Sequence, residues 1–180
     1  AVADTIRPNA KAAVQALYQA GLKKVVMLSG DNQRTVNAIS KQAGITDAYG
    51  GLLPDDKIKR VQELLSEFKY VGMIGDGVND APAMAAASVG IAMGGAGTDT
   101  AIETADITLM QDDLVQVASA IHLGRRTVRI IQANIIFALV VKALFLVLAL
   151  SGHTSLWLAI LADTGATLVV IANAMRLLRG

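Results

Sequence analysis

Two long apolar runs near the C-terminal end constrain this chain more than any other feature of its sequence. The first covers residues 130–150 and the second residues 156–174, and the only charges inside them are Lys142 and Asp163. A helix of about 20 apolar residues is long enough to cross the hydrocarbon core of a bilayer. The sequence therefore predicts a transmembrane helical hairpin, with transmembrane helices at 130–151 and 155–178.

Basic residues flank both outer ends of this hairpin, whereas the connecting turn carries none. Cytoplasmic ends of membrane segments are enriched in Lys and Arg. We therefore expect residues 1–129 and the C-terminus to lie in the cytoplasm. The flanking residues are Arg125, Arg126, Arg129, Arg176 and Arg179.

Residues 1–113 have the pattern of a soluble α/β domain, and residues 114–129 are predicted to form a connecting stalk helix. Strands that alternate with helices predict a parallel, doubly wound sheet. The predicted strands are 25–28, 70–74, 88–93 and 106–109. The predicted helices are 5–20 (with Thr5 as its cap), 32–43, 54–68, 82–87 and 98–104.

Charge and composition exclude several classes of function. The net charge is +1, which gives no electrostatic argument for a nucleic-acid partner. The chain has no cysteine, so it cannot build a disulfide framework or a thiolate metal site by itself. Its first ten residues lack the apolar core of a signal peptide, and the start without Met suggests a fragment.

A glycine-rich acidic loop follows the second predicted strand. Residues 75–80 contain Asp76, Asn79 and Asp80. Ligands of an open parallel sheet bind beyond the carboxyl ends of its strands. Carboxylates together with phosphate oxygens and water are the ligands that Mg²⁺ prefers. Without a cation the two aspartates would repel each other, so the loop predicts a magnesium site.

Two further groups are candidates for contacts with phosphate. Ser29, Gly30 and Asp31 follow the first predicted strand and supply a hydroxyl and backbone N–H groups at a helix start. Lys57 could bring a point charge to a phosphoryl group. Taken alone, the first group also fits a common turn, and Lys57 also fits a solvated surface lysine.

The two charges inside the apolar runs are predicted to lie at the same depth. Lys142 follows Arg129 at the same sequence separation at which Asp163 precedes Arg176. At about 1.5 Å per residue, each lies roughly 20 Å from its basic anchor. A charge near the bilayer centre costs roughly 2.5–3.5 kcal/mol on insertion scales. The residues themselves leave two interpretations open, a buried ion pair and an ion site.

The order of motifs over residues 1–127 resembles the phosphorylation domain of P-type ATPases, a branch of the haloacid dehalogenase superfamily with a Rossmann-like fold. The motifs are SGDN, PDDK, GDGVNDAPAM, VGIAMG and GTDTAIETADI. The resemblance implies that Asp76 is the main Mg²⁺ carboxylate, that Asp80 supports it and that Asn79 helps to hold the phosphorylated site. It also implies that Lys57 neutralises the phosphoryl group.

Two departures from the family pattern concern catalysis. Residues 29–31 match the family's TGD motif, which contacts phosphate and positions hydrolysis, but Ser29 stands in place of Thr and keeps the hydroxyl. The DKTGT motif with the nucleophilic aspartate is absent. It belongs upstream, with the domain that binds most of the ATP, and we expect this chain alone to be inactive.

The membrane segment resembles the last two helices of the zinc/cadmium/lead-exporting branch. The matching residues are Asn134 eight positions before Lys142, the triplet 163–165 and the ending 173–178. The resemblance implies that Asp163 is a ligand of the transported metal and that Lys142 is its counterion. It places the remaining ligands in a Cys-Pro-Cys helix outside this chain. A carboxylate beside thiolates suits Zn²⁺, whereas Cu⁺ prefers soft ligands.

The whole resemblance implies ATP-driven export of Zn²⁺, Cd²⁺ or Pb²⁺ through an aspartyl phosphate, at the bacterial plasma membrane. The implied partners are the lipid bilayer, the transported cation and the rest of the same polypeptide. Two rival interpretations stay open. One is a soluble phosphatase of the same superfamily, and the other is a membrane-anchored module whose paired charges only fix helix packing.

Overall fold

The computed structural model describes residues 6, 9–76, 78–94, 99–110, 113–152 and 155–179. The chain divides into two compact units, Ala1–Ala120 and Ile121–Gly180. The first unit alternates short strands with helices, which confirms the predicted α/β class. Its elements are α1 (Ala10–Gln19), β1 (Val26–Leu28), α2 (Gln33–Ala43), β2 (Asp47–Tyr49), α3 (Pro54–Glu67), β3 (Gly72–Gly75), α4 (Ala81–Ala86), β4 (Val89–Met93), α5 (Asp99–Thr104) and β5 (Ile107–Leu109).

The described strands form two parallel sheets instead of the single sheet that the alternation predicts. β1 pairs with β2, and the second sheet has the order β3-β4-β5. The two sheets nevertheless share a core, because Leu28 of β1 packs against the buried cluster that contains Met73 of β3. Each of the two site loops therefore follows a strand that is anchored in this common core.

The core of the first unit holds α3 and α4 against the second sheet. Val61 of α3 and Met84 of α4 are both 1% exposed and pack with Met73 and Ala92. Burying a side chain of this size contributes roughly 1.5–3 kcal/mol. This packing fixes α4, and Asp80 is the residue at its N-terminal cap.

The helix that leads from the first loop begins where the sequence suggests. The Asn32 side chain accepts a hydrogen bond from the Thr35 amide at 2.9 Å and caps α2, and Gly44 ends the helix with φ +77°. The predicted start of the first helix is wrong, because α1 begins at Ala10, with Asn9 as its N-cap residue. The predicted cap, Thr5, lies outside the described residues.

The second unit contains most of one very long helix and a second apolar helix. α6 (Val115–Leu150) is continuous through the predicted stalk and the first apolar run. α7 (Leu156–Ala174) begins after Ser155, whose hydroxyl accepts the Leu158 amide at 3.3 Å, and a 3₁₀ turn (Met175–Arg179) follows it. By length and composition, both are candidate membrane spans.

Candidate phosphate site and membrane ion pair

A close, largely buried ion pair in the first unit joins Lys57 and Asp80. The Lys57 Nζ lies 2.6 Å from Asp80 Oδ1, and the two side chains are only 12% and 15% exposed. Lys57 reaches this position from the first turn of α3, which begins at Pro54 and is capped by Asp56 through the Leu53 amide at 3.2 Å. The structure thus brings together two site residues that lie on separate motifs of the sequence.

Gly75 makes room for Asp80. A Cβ built at Gly75 would lie 2.5 Å from the Asp80 Cβ, closer than real Cβ atoms approach, and 3.1 Å from the Met84 Sδ. Because Gly75 is the last residue of β3 and Asp80 is the N-cap residue of α4, only glycine lets the acidic loop close this tightly. The geometry of this loop therefore depends on a residue without a side chain at position 75.

Replacing Gly75 by alanine is expected to lower the free energy of unfolding of the first unit by about 1–3 kcal/mol, because the added methyl group overpacks this contact. The measurement is thermal unfolding of the full chain followed by circular dichroism. Gly72→Ala is the matched control, since a Cβ at Gly72 would lie 3.8 Å from its nearest neighbour, the Val89 carbonyl oxygen. Equal stability of the two variants would contradict the prediction.

Ser29, Gly30 and Asp31 form a turn directly after β1. The Ser29 hydroxyl donates to Asp31 Oδ2 at 3.0 Å and accepts the Asp31 amide at 3.1 Å. The Ser29 amide donates to the Tyr49 carbonyl at 2.9 Å, and the Leu52 amide donates to the Ser29 carbonyl at 3.1 Å. The turn is therefore held against the loop that leads into α3 and Lys57.

Gln33 strengthens this connection, and sequence reasoning missed it. Its Oε1 accepts the Gly50 amide at 2.7 Å, while its Nε2 donates to the Ala48 carbonyl at 3.0 Å and to Asn37 Oδ1 at 2.8 Å. The side chain thereby ties the start of α2 to the end of β2. A single glutamine has no local pattern that reveals partners on another element of the fold.

The remaining residues of the acidic loop are accessible to solvent. Asp76 is exposed directly after Gly75, and Asn79 is exposed in the turn before Asp80. Gly77, between them, lies outside the described residues. Asp76 thus presents a carboxylate at the carboxyl end of β3, where a ligand of a parallel sheet binds.

The donor set in this loop fits part of a magnesium shell. Among the described residues, no group of three or more Asp, Glu or His side chains could hold a metal ion by itself. Mg²⁺ typically takes one or two protein carboxylates and completes its shell with phosphate oxygens and water. The two carboxylates of Asp76 and Asp80 match that requirement.

In the second unit, Lys142 of α6 and Asp163 of α7 face each other. The distance between Lys142 Nζ and Asp163 Oδ1 is 4.0 Å, in agreement with the equal depth that their spacing predicts. Their side chains are 70% and 67% exposed, so the hairpin alone does not bury the pair.

An open cavity of about 300 Å³ adjoins the pair. It is lined by Lys142, Asp163 and mainly apolar side chains, and its other lining residues are Val141, Phe145, Leu146, Ala159 and Ala162. The Asp163 carbonyl accepts the Thr167 hydroxyl at 2.9 Å, which holds the backbone next to the carboxylate. A carboxylate and an ammonium thus line an apolar depression on one surface of the hairpin.

Comparison with known proteins relates the first unit to haloacid dehalogenase-like hydrolases and nearly the whole chain to a metal-transporting ATPase. A family model of haloacid dehalogenase-like hydrolases matches residues 1–88. The crystal structure of a zinc-transporting PIB-type ATPase in an E2·Pi state is similar to 97% of this chain, with a TM-score of 0.91 and 50% identity, and the match covers 28% of that protein. The chain thus combines a haloacid dehalogenase-like domain with two membrane helices.

Sequence relatives define the family more narrowly. The cadmium-transporting ATPase of Staphylococcus aureus is 54% identical over 99% of this chain, and the zinc/cadmium/lead-transporting P-type ATPase of Escherichia coli is 50% identical over 99%. The chain belongs to the heavy-metal P-type ATPases. It spans about a quarter of the length of these relatives, 25% and 24% respectively.

Proposed function

We propose that this chain is part of a pump that uses ATP to export Zn²⁺, Cd²⁺ or Pb²⁺ through an aspartyl-phosphate intermediate. The observation that carries the proposal is the pairing of Lys142 and Asp163 on apolar helices in a chain that also holds the acidic phosphate loops. The soluble phosphatase rival gives no reason for two spanning helices with facing charges. The chain would supply the magnesium and phosphate loops and the last two membrane helices.

The cytoplasmic chemistry would proceed in two steps. An aspartate outside this chain attacks the γ-phosphorus of ATP and displaces ADP, and water then cleaves the acyl phosphate to release inorganic phosphate. Lys57, which uses one of its three ammonium donors on Asp80, would place the others near the phosphoryl oxygens. The Ser29 turn would contact the same group and position its hydrolysis, and Asn79 would help to hold the phosphorylated site.

Asp76 and Asp80 are the residues that would hold Mg²⁺. When bound, the ion neutralises the charge that develops on the transferred phosphoryl group. ATP would be bound mainly by a domain outside this chain. This chain contributes the position of Asp80, because α4 is packed into the core and Gly75 leaves room for Asp80 close to β3.

The edges of β1 and β3 that are free among the described residues could each pair with a further strand that carries the nucleophilic aspartate. In the part of the chain that the structure describes, β1 pairs only with β2 and β3 pairs only with β4. Both strands end at a site loop, and both contribute to one core through Leu28 and Met73. A strand added beside them in the parallel sense would deliver its own C-terminal residue to the same end.

In the membrane, Asp163 would bind the transported cation and Lys142 would replace the cation's charge after release. Both side chains are exposed in the hairpin, which supports this role because an exposed carboxylate is accessible to a cation. Exposure of the pair to lipid would be costly. Another segment of the same polypeptide would therefore cover them and add the sulfur ligands. Residues 1–129 and the C-terminus would be cytoplasmic, with the helices in a bacterial plasma membrane.

The test is ATP hydrolysis by the full-length protein with a panel of metals. We expect Zn²⁺, Cd²⁺ and Pb²⁺ to stimulate phosphate release, whereas Cu⁺ should not, because the carboxylate is a hard ligand. The present chain alone should take up no label from γ-³²P-labelled ATP. Stimulation by none of the divalent ions, or labelling of the chain alone, would overturn the proposal.

A further inference from the structure

Two asparagines join the apolar helices of the second unit. Asn173 Nδ2 of α7 donates to Asn134 Oδ1 of α6 at 2.8 Å, and Asn134 Nδ2 reaches the Val170 carbonyl of α7 at 3.5 Å. Both side chains are half-buried. Each asparagine thus uses the other helix to satisfy a polar group that a hydrocarbon environment would leave unpaired.

Two arginines extend this pair into a ladder toward the basic end of the hairpin. Arg176 Nη1 donates to Asn173 Oδ1 at 3.3 Å, and Arg126 Nη2 of α6 donates to the Arg176 carbonyl at 3.0 Å. Three of these four hydrogen bonds cross between α6 and the segment that contains α7 and its 3₁₀ turn. The ladder therefore fixes how far one helix is shifted along the other.

Directional bonds of this kind decide register in a membrane. Apolar side chains alone give little preference for one register, because lipid tails are as apolar as leucine. Asn134 precedes Lys142 and Asn173 follows Asp163, each by roughly two to three helical turns. The asparagines are therefore roughly 12–15 Å from the charges along the helix axes. A slip of one turn, about 5.4 Å, would separate Lys142 from Asp163.

We propose that Asn134 and Asn173 are a positioning pair, which sets the register of α6 and α7 and so holds Asp163 opposite Lys142. Its consequence for the transported metal rests on the proposed function, but the register itself does not. Neither asparagine touches the ion. They act by placing the carboxylate and the ammonium at one depth.

The first experiment measures register in this chain, which has no cysteine of its own. Leu146 of α6 and Ala159 of α7 both line the cavity beside Lys142 and Asp163. In the variant Leu146→Cys/Ala159→Cys, nitroxide labels on the two cysteines should show dipolar broadening when the chain is reconstituted into lipid nanodiscs. Asn173→Leu should lose that broadening. The double variant Asn134→Leu/Asn173→Leu should lose it equally, and it leaves no unpaired amide that could prevent folding. Unchanged broadening in both would overturn the proposal.

The matched control is Thr127→Val. Thr127 lies on α6, but its hydroxyl donates to the Leu123 carbonyl of the same helix at 2.9 Å. Because this bond does not reach α7, the control should keep the broadening of the parent chain. Loss of broadening in the control as well would show that the register is not specific to the asparagine pair, and would overturn the proposal.

The second experiment uses the full-length protein and separates positioning from general damage. In Asn173→Leu, the zinc concentration for half-maximal ATP hydrolysis should rise about 3- to 10-fold, the range expected for one interhelical hydrogen bond. The rate at saturating zinc should stay the same. Asn134→Leu should raise the half-maximal zinc concentration as well. The double variant Asn134→Leu/Asn173→Leu should raise it no further than the more affected single variant does, since the two residues act as one unit. Additive effects, or a lower maximal rate with unchanged half-saturation, would overturn the proposal.

The two experiments fail in different ways. If the unmodified full-length protein shows no zinc stimulation, the proposed function is wrong, while the spectra still decide whether the asparagines set the register. If zinc stimulates the protein but the spectra and the half-saturation do not respond to Asn173→Leu, the pump stands and the positioning pair is wrong.

Discussion

Replacing Asp163 by alanine in the full-length protein is expected to lower zinc-stimulated ATP hydrolysis by about 100-fold or more. Residues that only orient a metal ligand typically cost about 10–100-fold when they are removed, so the loss of a ligand itself should reach or exceed that range. Alanine removes both the oxygen donor and the negative charge that would balance the cation. The measurement is phosphate release as a function of zinc concentration in proteoliposomes.

A double variant separates a metal ligand from a packing device. If Lys142 and Asp163 only fixed helix packing, replacing both by leucine would be nearly neutral, as it often is for ion pairs. We expect Lys142→Leu/Asp163→Leu to be as inactive as Asp163→Ala. Leu161→Ala, at an exposed position close to Asp163, is the control for general disturbance of α7. Recovery of zinc stimulation in the double variant would favour the packing interpretation.

Much of the fold could be predicted because its determinants are local. Short apolar and β-branched runs marked β1, β3, β4 and β5 closely, and Gly44 and Pro54 marked the helix boundaries beside them. β2 was missed, because Asp47, Ala48 and Tyr49 form no apolar run and this strand is recognised only by its pairing with β1. The split into two sheets was missed for the same reason, since pairing is not a local property.

The candidate sites show the same division between local and distant information. Equal spacing from the arginine anchors was enough to predict that Lys142 and Asp163 lie at the same depth, since antiparallel helices convert sequence distance into depth. No such rule indicated the hydrogen bond between Asn134 and Asn173. Partners of this kind depend on the rotation of each helix about its axis, which the nearly uniform apolar sequence does not specify.

Both candidate sites contain a lysine–aspartate pair, but the two pairs differ in how freely the carboxylate can take another partner. Asp80 is bound by Lys57 at 2.6 Å and is nearly buried, whereas Asp163 is 4.0 Å from Lys142 and is mostly exposed. Leaving Lys57 without its partner should destabilise the first unit by about 3–5 kcal/mol. Asp80 therefore has a structural role as well, and Asp76 is the cleaner probe of magnesium binding.

Replacing Asp76 by asparagine is expected to reduce phosphorylation of the full-length protein by ATP about 1,000-fold while leaving its thermal stability unchanged. Asparagine keeps the size of the side chain but removes the charge, and a bound metal ion contributes several kcal/mol to stabilising the transferred phosphoryl group, at about 1.4 kcal/mol per tenfold in rate. The measurement is the initial rate of ³²P incorporation as a function of Mg²⁺. Glu63→Gln, an exposed carboxylate on α3, is the control. A phosphorylation rate for Asp76→Asn that matches this control would remove Asp76 from the magnesium site.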